Sequence, residues 1–160
     1  MDWDSIKKEN ALIGAARLNA GYNCPENINF IMPAEGITSG VYGSQRILNG
    51  QEKRPHFGID IAAPQGDPVL APADGKITMT HSDMFYTGGT ITMDHGCGLV
   101  SVFSHLHTLD VKEGDIIKQG GQIATIGSTG RSTGPHLDWR VNLGKTRLDP
   151  MLVLEINKSQ

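Results

Sequence analysis

Two short segments of the sequence pair a histidine with an aspartate at even spacing. His56 and Asp60 are four residues apart in HFGID, and His136 and Asp138 are two apart in PHLDWR. Side chains at even spacing on an extended strand share one face, and roughly 6.5 Å separates Cα atoms two residues apart. Neutral imidazole and carboxylate groups are ordinary zinc ligands. Each pair could therefore reach one ion or one substrate.

A third segment, FSHLH, carries two histidines. His105 and His107 are two residues apart, so alternation places them on one face with Phe103 and Ser101. The residues predicted for the opposite, core-facing side are Val100, Val102 and Leu106. The histidines would then face a cleft or solvent. His107 is interpreted as a solvated histidine at a strand end.

Each segment alone also fits a wet polar strand face. Together they favour joint ligation, because one small domain would otherwise carry three histidine-containing pairs by accident. A catalytic zinc site needs three protein ligands, an open position for water and nearby groups that move protons. The three segments hold enough candidates for all of these.

The elements that must position these residues are mostly strands. From about residue 30 onward, short segments rich in β-branched residues alternate with Gly, Pro, Asp and Asn, which is typical of an all-β domain. In PHLDWR and the residue after it, the apolar Leu137, Trp139 and Val141 alternate with a polar set, His136, Asp138 and Arg140. The apolar side chains should therefore pack into a core. The predicted strands are GKITMT, GTITMD, LVSVFSHL, QIATIG and HLDWRV.

A helix is predicted before the strands, with Asp4 or Ser5 as its cap and Leu18 or Ala20 near its end. The polar stretch YNCPENIN that follows reads as a linker. The predicted organisation is an N-terminal helix and linker over residues 1–28, one domain over residues 29–152 and a tail over residues 153–160.

Composition excludes several classes of function. The chain has 160 residues and a net charge of -3, with Lys and Arg scattered singly, so nucleic acid is not an expected partner. No apolar run reaches the roughly 18 residues of a membrane span, and the first residues lack the apolar centre of a signal peptide. Cys24 and Cys97 form no CxxC motif, and the sequence leaves open whether they form a disulfide.

The ordered motifs HxxxD, SHL and GPHLxW, with ITSGVYGS and VLAPADGKI before them and DP after them, resemble the lysostaphin-type (LytM-like) zinc metallopeptidases. The resemblance covers about residues 30–152. It implies a compact antiparallel β-sandwich or open barrel of the LytM type (a duplicated hybrid motif) with a short N-terminal helix. It also implies an endopeptidase that hydrolyses peptide bonds in peptidoglycan stem peptides or cross-links.

The resemblance also implies residue roles. His56 and Asp60 match the first two metal ligands, and His105 and His136 match the catalytic histidines. The third ligand of that family is the second His of an HxH motif, and Asp138 stands in its place. His107 is a lower-ranked alternative as third ligand, since it does not align with that position. One Zn²⁺ per chain is expected, with Mn²⁺ or another divalent ion as an alternative because an oxygen-rich ligand set relaxes selectivity. Two carboxylates should weaken the pull of the metal on its bound water.

The family resemblance further implies a peptidoglycan-peptide partner, a monomer, and work in the periplasm or at the cell surface. The chain would then be a piece of an exported protein with an upstream regulatory region. A different class is a metal-free pseudo-enzyme that binds cell-wall peptides or regulates another hydrolase. A third class, a biotin or lipoyl carrier, is suggested by VKEGDIIKQGGQIATIG but lacks a lysine at a tight turn, since Lys76 precedes a strand.

Overall fold

The computed structural model describes residues 3–18, 28–40, 46–48, 51–53 and 57–155. Two helices and twelve strands lie in these ranges. The helices are α1 (Trp3–Leu18) and α2 (Pro150–Glu155). The strands are β1 (Ile37–Gly40), β2 (Arg46–Leu48), β3 (Gln51–Lys53), β4 (Ile59–Ala62), β5 (Pro68–Leu70), β6 (Gly75–Met84), β7 (Gly88–Gly96), β8 (Leu99–Leu109), β9 (Ile116–Ile117), β10 (Gln122–Ile126), β11 (His136–Leu143) and β12 (Thr146–Leu148).

Within the described residues, ten of the strands form one antiparallel sheet. Its main path runs β1-β4-β11-β8-β7-β6-β9, while β10 pairs with β5 and β8, and β12 pairs with β11. Strands β2 and β3 form a separate two-stranded sheet. The large sheet is open and does not close into a barrel. The prediction of an all-β, antiparallel fold with a short N-terminal helix is therefore confirmed.

Strand β11 behaves as its alternation predicts. Leu137, Trp139 and Val141 are fully buried in the main core, where they pack with residues of β4 and β8. Asp138 and the half-buried Arg140 project from the other face. Burying a side chain such as Trp139 contributes several kcal/mol, since truncation of a buried Trp to Ala costs about 3–5 kcal/mol. This burial fixes which face of the strand carries the polar residues.

Strand β8 departs from the predicted alternation. Phe103 and Leu106, three residues apart, both lie in the main core, so Phe103 does not share a solvent-facing side with the histidines as predicted. The reason is an irregularity opposite Gly89 and Ile91, where the pairing of β7 with β8 shifts by one residue. His105 lies at this irregularity and has a left-handed φ of 64°. The extra residue turns His105 away from the core that its neighbours enter.

The helix predicted near the N-terminus is confirmed as α1. Ile13 packs against Met79 and Met84 of β6, which covers the second face of that part of the sheet. The second helix, α2, was not predicted. Asp149 accepts the backbone N–H of Met151 at 3.0 Å through its side chain, and Pro150 occupies the first helical position, an ordinary helix start. The predicted domain limits remain a prediction.

A buried polar network joins β7, β8 and β11 beneath the sheet. His95 Nδ1 lies 3.0 Å from the Asp74 carbonyl, and its Nε2 lies 2.7 Å from Ser101 Oγ. A carbonyl only accepts, so Nδ1 carries the proton and Nε2 accepts from the serine hydroxyl. Trp139 Nε1 donates to the same hydroxyl at 3.1 Å. All three side chains are fully buried, so this Ser-His pair is structural and has no access to a substrate.

Candidate active site

One cleft of about 430 Å³ gathers the polar residues of the central strands. Asp60 comes from β4, His105 from β8, and His136, Asp138 and Arg140 from β11, and these three strands are neighbours in the sheet. The remaining lining residues are Tyr86, Thr87, Arg131, Ser132 and Thr133. The predicted site residues Asp60, His105, His136 and Asp138 are thus brought together. Every lining residue carries a polar or charged group, as a site for charged or peptide groups should.

Two other residues singled out from the sequence do not belong to this group. His107 is exposed and does not line the cleft, in line with its interpretation as a solvated histidine. The predicted metal ligand His56 lies outside the described residues. The part of the site that can be described therefore consists of the four predicted residues and the residues around them.

The two aspartates face each other across neighbouring strands. Asp138 of β11 is the Cα partner of Asp60 of β4 in the antiparallel register. Cβ atoms of directly opposed residues are about 4.5–5.5 Å apart, so two like charges at such positions repel unless a cation lies near them. The pairing places a concentrated negative charge at the floor of the cleft. This arrangement suits a bound cation.

His105 is oriented by the backbone of a neighbouring loop. Its Nδ1 donates to the Thr129 carbonyl at 2.8 Å, and its own backbone N–H donates to the Thr87 carbonyl at 2.6 Å. The tautomer assigned by this contact leaves the Nε2 lone pair available at the cleft. Burial lowers the pKa of His105, with the charge of His136 adding to the effect, although the Thr129 carbonyl and both aspartates oppose it. His105 is therefore a neutral imidazole at neutral pH.

His136 is held in the same way at the start of β11. Its Nδ1 donates to the Gly134 carbonyl at 2.9 Å, so Nε2 carries the lone pair. Nε2 lies 3.9 Å from Oδ1 of Asp60. The His105 and His136 rings are 4.7 Å apart, centre to centre. The Nε2 atoms of two imidazoles thus lie in one small space, where one can accept a proton and the other, once protonated, can donate one.

Asp138 is held by Arg140, two residues further along the same strand face. Arg140 Nε donates to Oδ1 and Nη2 donates to Oδ2, each at 3.1 Å. The Asp138 side chain is only 6% exposed and that of Arg140 is 33% exposed. Burial by itself lowers the pKa of Arg140, but the charge and hydrogen bonds of Asp138, with the charge of Asp60, outweigh it and raise the pKa. The guanidinium is therefore a fixed positive charge in the cleft.

Sequence reasoning placed Arg140 on the polar face of β11 but gave it no function. The signal was available, because opposite charges at positions i and i+2 of a strand lie on one face. Two-point contact between a guanidinium and a carboxylate is the strong form of this interaction. Arg140 therefore belongs to the site, in contact with the predicted third ligand.

The wall of the cleft depends on close backbone contact between two turns. A Cβ atom at Gly88 would lie 2.4 Å from the Thr129 carbonyl carbon and 2.6 Å from the Gly130 nitrogen, so only glycine fits there. Thr129 Oγ1 accepts the Gly89 N–H at 2.9 Å and donates to the Leu106 carbonyl at 2.8 Å. These contacts lock the segment over residues 127–134 against the β6-β7 turn. One wall of the cleft is therefore held in place by contacts between these two turns.

The donor set of the cleft fits a divalent cation. In the described ranges, no three His, Cys, Asp or Glu side chains form a complete ligand group. The types of ligand nevertheless fit a metal site. Asp60 and Asp138 supply carboxylate oxygens, and His56, four residues before Asp60 in the sequence, supplies an imidazole. Each oxygen of Asp138 gives one lone pair to Arg140 and keeps another for a metal. The residues present are thus able to hold an ion of the size and charge of zinc.

Three further observations concern the carrier lysine, the two cysteines and the helices. Lys76 lies inside β6, paired with Asp94 of β7 and Ile116 of β9, so it does not occupy the hairpin tip that a carrier domain needs. Cys97 is disulfide-bonded, and the chain's other cysteine, Cys24, lies outside the described residues. Neither of the two helices in the described ranges has the length and apolar character needed to cross a bilayer.

Comparison with known proteins agrees with this geometry. The DD-carboxypeptidase/endopeptidase Mpg of Neisseria meningitidis is 42% identical over 101 residues, which are 62% of this chain and 23% of that protein. The chain spans about a quarter of the length of the curated relatives that it matches.

Solved structures give the same result. An M23-family protein from Pseudomonas aeruginosa has a TM-score of 0.83 and 36% identity, over 96% of this chain and 62% of that one. The catalytic domain of lysostaphin from Staphylococcus simulans has a TM-score of 0.67 and 32% identity, over 75% of this chain and 92% of that one. Residues 54–150 match the family described as Peptidase family M23. With its cleft and its fold, the chain belongs to peptidase family M23.

Proposed function

We propose that this chain is a zinc-dependent endopeptidase that hydrolyses peptide bonds in the stem peptides or cross-links of peptidoglycan. The observation that carries the proposal is the meeting of Asp60, His105, His136 and Asp138 in one cleft. Two carboxylates fit a cation, and two imidazoles fit proton transfer. The names of relatives such as the Vibrio cholerae peptidoglycan DD-endopeptidase ShyB support the substrate class.

The proposed ligands are His56, Asp60 and Asp138. When bound, a divalent cation polarises the scissile carbonyl and makes a water molecule more acidic. Mn²⁺ or another divalent ion is the alternative to zinc, since two carboxylates relax the preference for a softer metal. Arg140 holds both oxygens of Asp138 and so fixes the direction in which this carboxylate points. One ion per chain is proposed because His56, Asp60 and Asp138 together make one ligand set.

The proposed proton carriers are His105 and His136. His105 has its Nε2 lone pair at the cleft and is neutral, so it accepts a proton from the attacking water. His136 presents a second Nε2 within 3.9 Å of Asp60, a position from which a protonated imidazole donates to the developing oxyanion or the leaving amine. General acid-base groups of this kind typically contribute about 10²–10⁴-fold in rate.

The setting of this activity follows from the substrate. Peptidoglycan peptides lie outside the cytoplasmic membrane, so the protein is proposed to act in the periplasm or at the cell surface. The peptidase domain is proposed to extend over residues 29–152. A monomeric catalytic unit and regulation by an upstream region complete the proposal.

The test measures metal content and hydrolysis together. Protein purified without chelator is analysed for zinc and manganese, and purified cross-linked peptidoglycan fragments are incubated with it and separated by mass. We expect about one metal ion per chain and new peptide termini in the wild type. Asp138→Ala should lose both the metal and the hydrolysis, because it removes one of three ligands.

A matched control is Asp83→Ala, which removes an exposed carboxylate of β6 outside the cleft. This variant should keep the metal and the hydrolysis. Peptidoglycan binding without metal and without cleavage would replace the proposal by the pseudo-enzyme alternative. Cleavage that persists in Asp138→Ala at the wild-type rate would remove Asp138 from the ligand set.

A further inference from the structure

The charged groups next to the proposed metal ligands differ from those of a site with one aspartate and neutral imidazoles, although their net charge is the same. Asp138 adds a negative charge where the resemblance leads one to expect a neutral histidine. Arg140 adds a positive charge in direct contact with it, with both donor contacts at 3.1 Å. Asp60, Asp138 and Arg140 together carry one net negative charge, as a single aspartate would. The added carboxylate is thus matched by an added cation.

We propose that Arg140 is a positioning and charge-balancing residue, and that Asp138 and Arg140 together replace one neutral imidazole at the metal. This inference rests on the proposed function. It also predicts that two carboxylates weaken the pull of the metal on its water less than the sequence by itself leads one to expect. In contact with a guanidinium, Asp138 donates less charge to a bound ion, so the ion keeps more of its own.

Two physical effects of Arg140 on metal affinity oppose each other. The guanidinium orients Asp138, and loss of a hydrogen bond of this outer-shell kind typically weakens metal binding by about 10–100-fold. The guanidinium also repels a divalent cation bound to Asp138, because only the Asp138 carboxylate lies between the two positive charges. In a partly buried site this repulsion corresponds to a factor on the order of 1,000 in affinity. Repulsion therefore outweighs orientation, and the net effect of Arg140 is to hold metal affinity down.

The Arg140 side chain has the burial that this effect needs. It is 33% exposed, so solvent screens it only in part, while the carboxylate that it contacts is 6% exposed. Gly58 lies against the pair, since a Cβ atom there would come within 2.6 Å of Arg140 Cγ and 3.1 Å of Asp138 Oδ1. The backbone just before β4 therefore restricts the positions that the ion pair can take.

The experiment measures the dissociation constant for Zn²⁺ by competition with a chromophoric chelator, using apo protein of the full chain. Arg140→Gln removes the charge and keeps an amide donor, and it should bind Zn²⁺ about tenfold or more tightly than the wild type. Arg140→Lys keeps the charge and should stay within a few-fold of the wild type. Arg131→Gln removes a guanidinium from the exposed rim of the same cleft and should leave the affinity unchanged.

A merely structural role of Arg140 predicts another pattern. Both Arg140→Gln and Arg140→Lys would then bind zinc more weakly than the wild type, and that result would overturn the inference. Equal affinity of wild type and Arg140→Gln would overturn it as well. Thermal melting of each apo variant identifies any variant that fails to fold, since an unpaired buried carboxylate such as Asp138 destabilises a protein.

A second pair of variants avoids an unpaired carboxylate. Asp138→His removes the negative charge that Arg140 balances. The Arg140 guanidinium should then repel the metal with no neighbouring carboxylate at position 138 to offset it. Asp138→His/Arg140→Gln should therefore bind Zn²⁺ at least about tenfold more tightly than Asp138→His alone. Equal affinities in this pair would overturn the inference even if Arg140→Gln does not fold.

The outcomes separate the inference from the proposed function. A wild type that binds no metal, with Arg140→Gln that binds it, would overturn the proposed function but support the charge effect of Arg140. Absence of metal in every variant would overturn both. Zinc in the wild type with no effect of Arg140 would overturn the inference alone.

Discussion

His95 should make the stability of the fold depend on pH between about pH 4 and pH 6.5. Burial lowers the pKa of His95 from 6.5 to about 4, although the Asp74 carbonyl and the charges of Asp94 and Asp74 oppose the shift. In the unfolded chain the imidazole returns to its ordinary pKa. Between the two values the unfolded state binds more protons than the folded state, so the free energy of unfolding falls as the pH is lowered.

The size of this effect follows from the two pKa values. Above pH 6.5 the neutral His95 imidazole makes its full contribution to the free energy of unfolding. This contribution is lost as the pH falls toward 4. Between pH 7 and pH 5 the loss from His95 amounts to about 2 kcal/mol. His105, whose pKa is also lowered, acts in the same direction. A variant without His95 should therefore keep only part of the pH dependence.

The assay is urea unfolding at 25 °C at several pH values between 4.5 and 7.5. His95→Gln is expected to be less stable than the wild type at pH 7, because it disturbs the bonds to Ser101 and Asp74. The difference between the two proteins should then shrink by about 2 kcal/mol on going to pH 5. The control His107→Gln, at an exposed histidine, should follow the wild-type curve. Parallel pH curves for wild type and His95→Gln would refute the reasoning.

Two further predictions concern the backbone around His105. Gly127→Ala should lower the free energy of unfolding by about 1–3 kcal/mol and reduce hydrolysis, because its Cβ would meet the His105 carbonyl oxygen at 2.7 Å. The control Gly134→Ala, whose Cβ would have no atom within 4 Å, should unfold at the same urea concentration as the wild type. Both His105→Gly and His105→Ala should lose hydrolysis by about 10²–10⁴-fold. In urea His105→Gly should nevertheless be about 1 kcal/mol more stable than His105→Ala, because only glycine adopts the left-handed backbone without strain. Equal stability of these two variants would contradict the strain.

The part of the site that could be predicted from the sequence is the part that follows strand period. On β11 the alternation of Leu137, Trp139 and Val141 with the polar set holds throughout, because a continuous ladder with β4 and β8 on either side fixes the register. Aromatic and β-branched residues in this strand also favour that conformation. The fold class followed from the same signals repeated in the other strands.

The period fails where the backbone leaves the regular ladder. At His105 the pairing of β7 with β8 shifts, and no residue type at this position signals a left-handed conformation. The nearby Gly88 and Gly89 indicate a turn in the sequence, but they do not indicate the change in strand pairing. The shift depends on how the β6-β7 turn meets the segment over residues 127–134, a contact between parts of the chain 40 residues apart. Local sequence patterns do not predict a contact between residues so far apart in the chain.

This irregularity and the Asp138–Arg140 pair have a common physical basis. His105 keeps a conformation that ordinarily costs about 1–2 kcal/mol, and it does so because its N–H and its ring are each bonded to a neighbouring carbonyl. Asp138 keeps a buried charge because a guanidinium holds both oxygens. In both cases the surrounding contacts hold a group in a state that is unfavourable by itself. Contacts from the β6-β7 turn, from the segment over residues 127–134 and from Arg140 thus hold His105 and Asp138 where they face the same cleft.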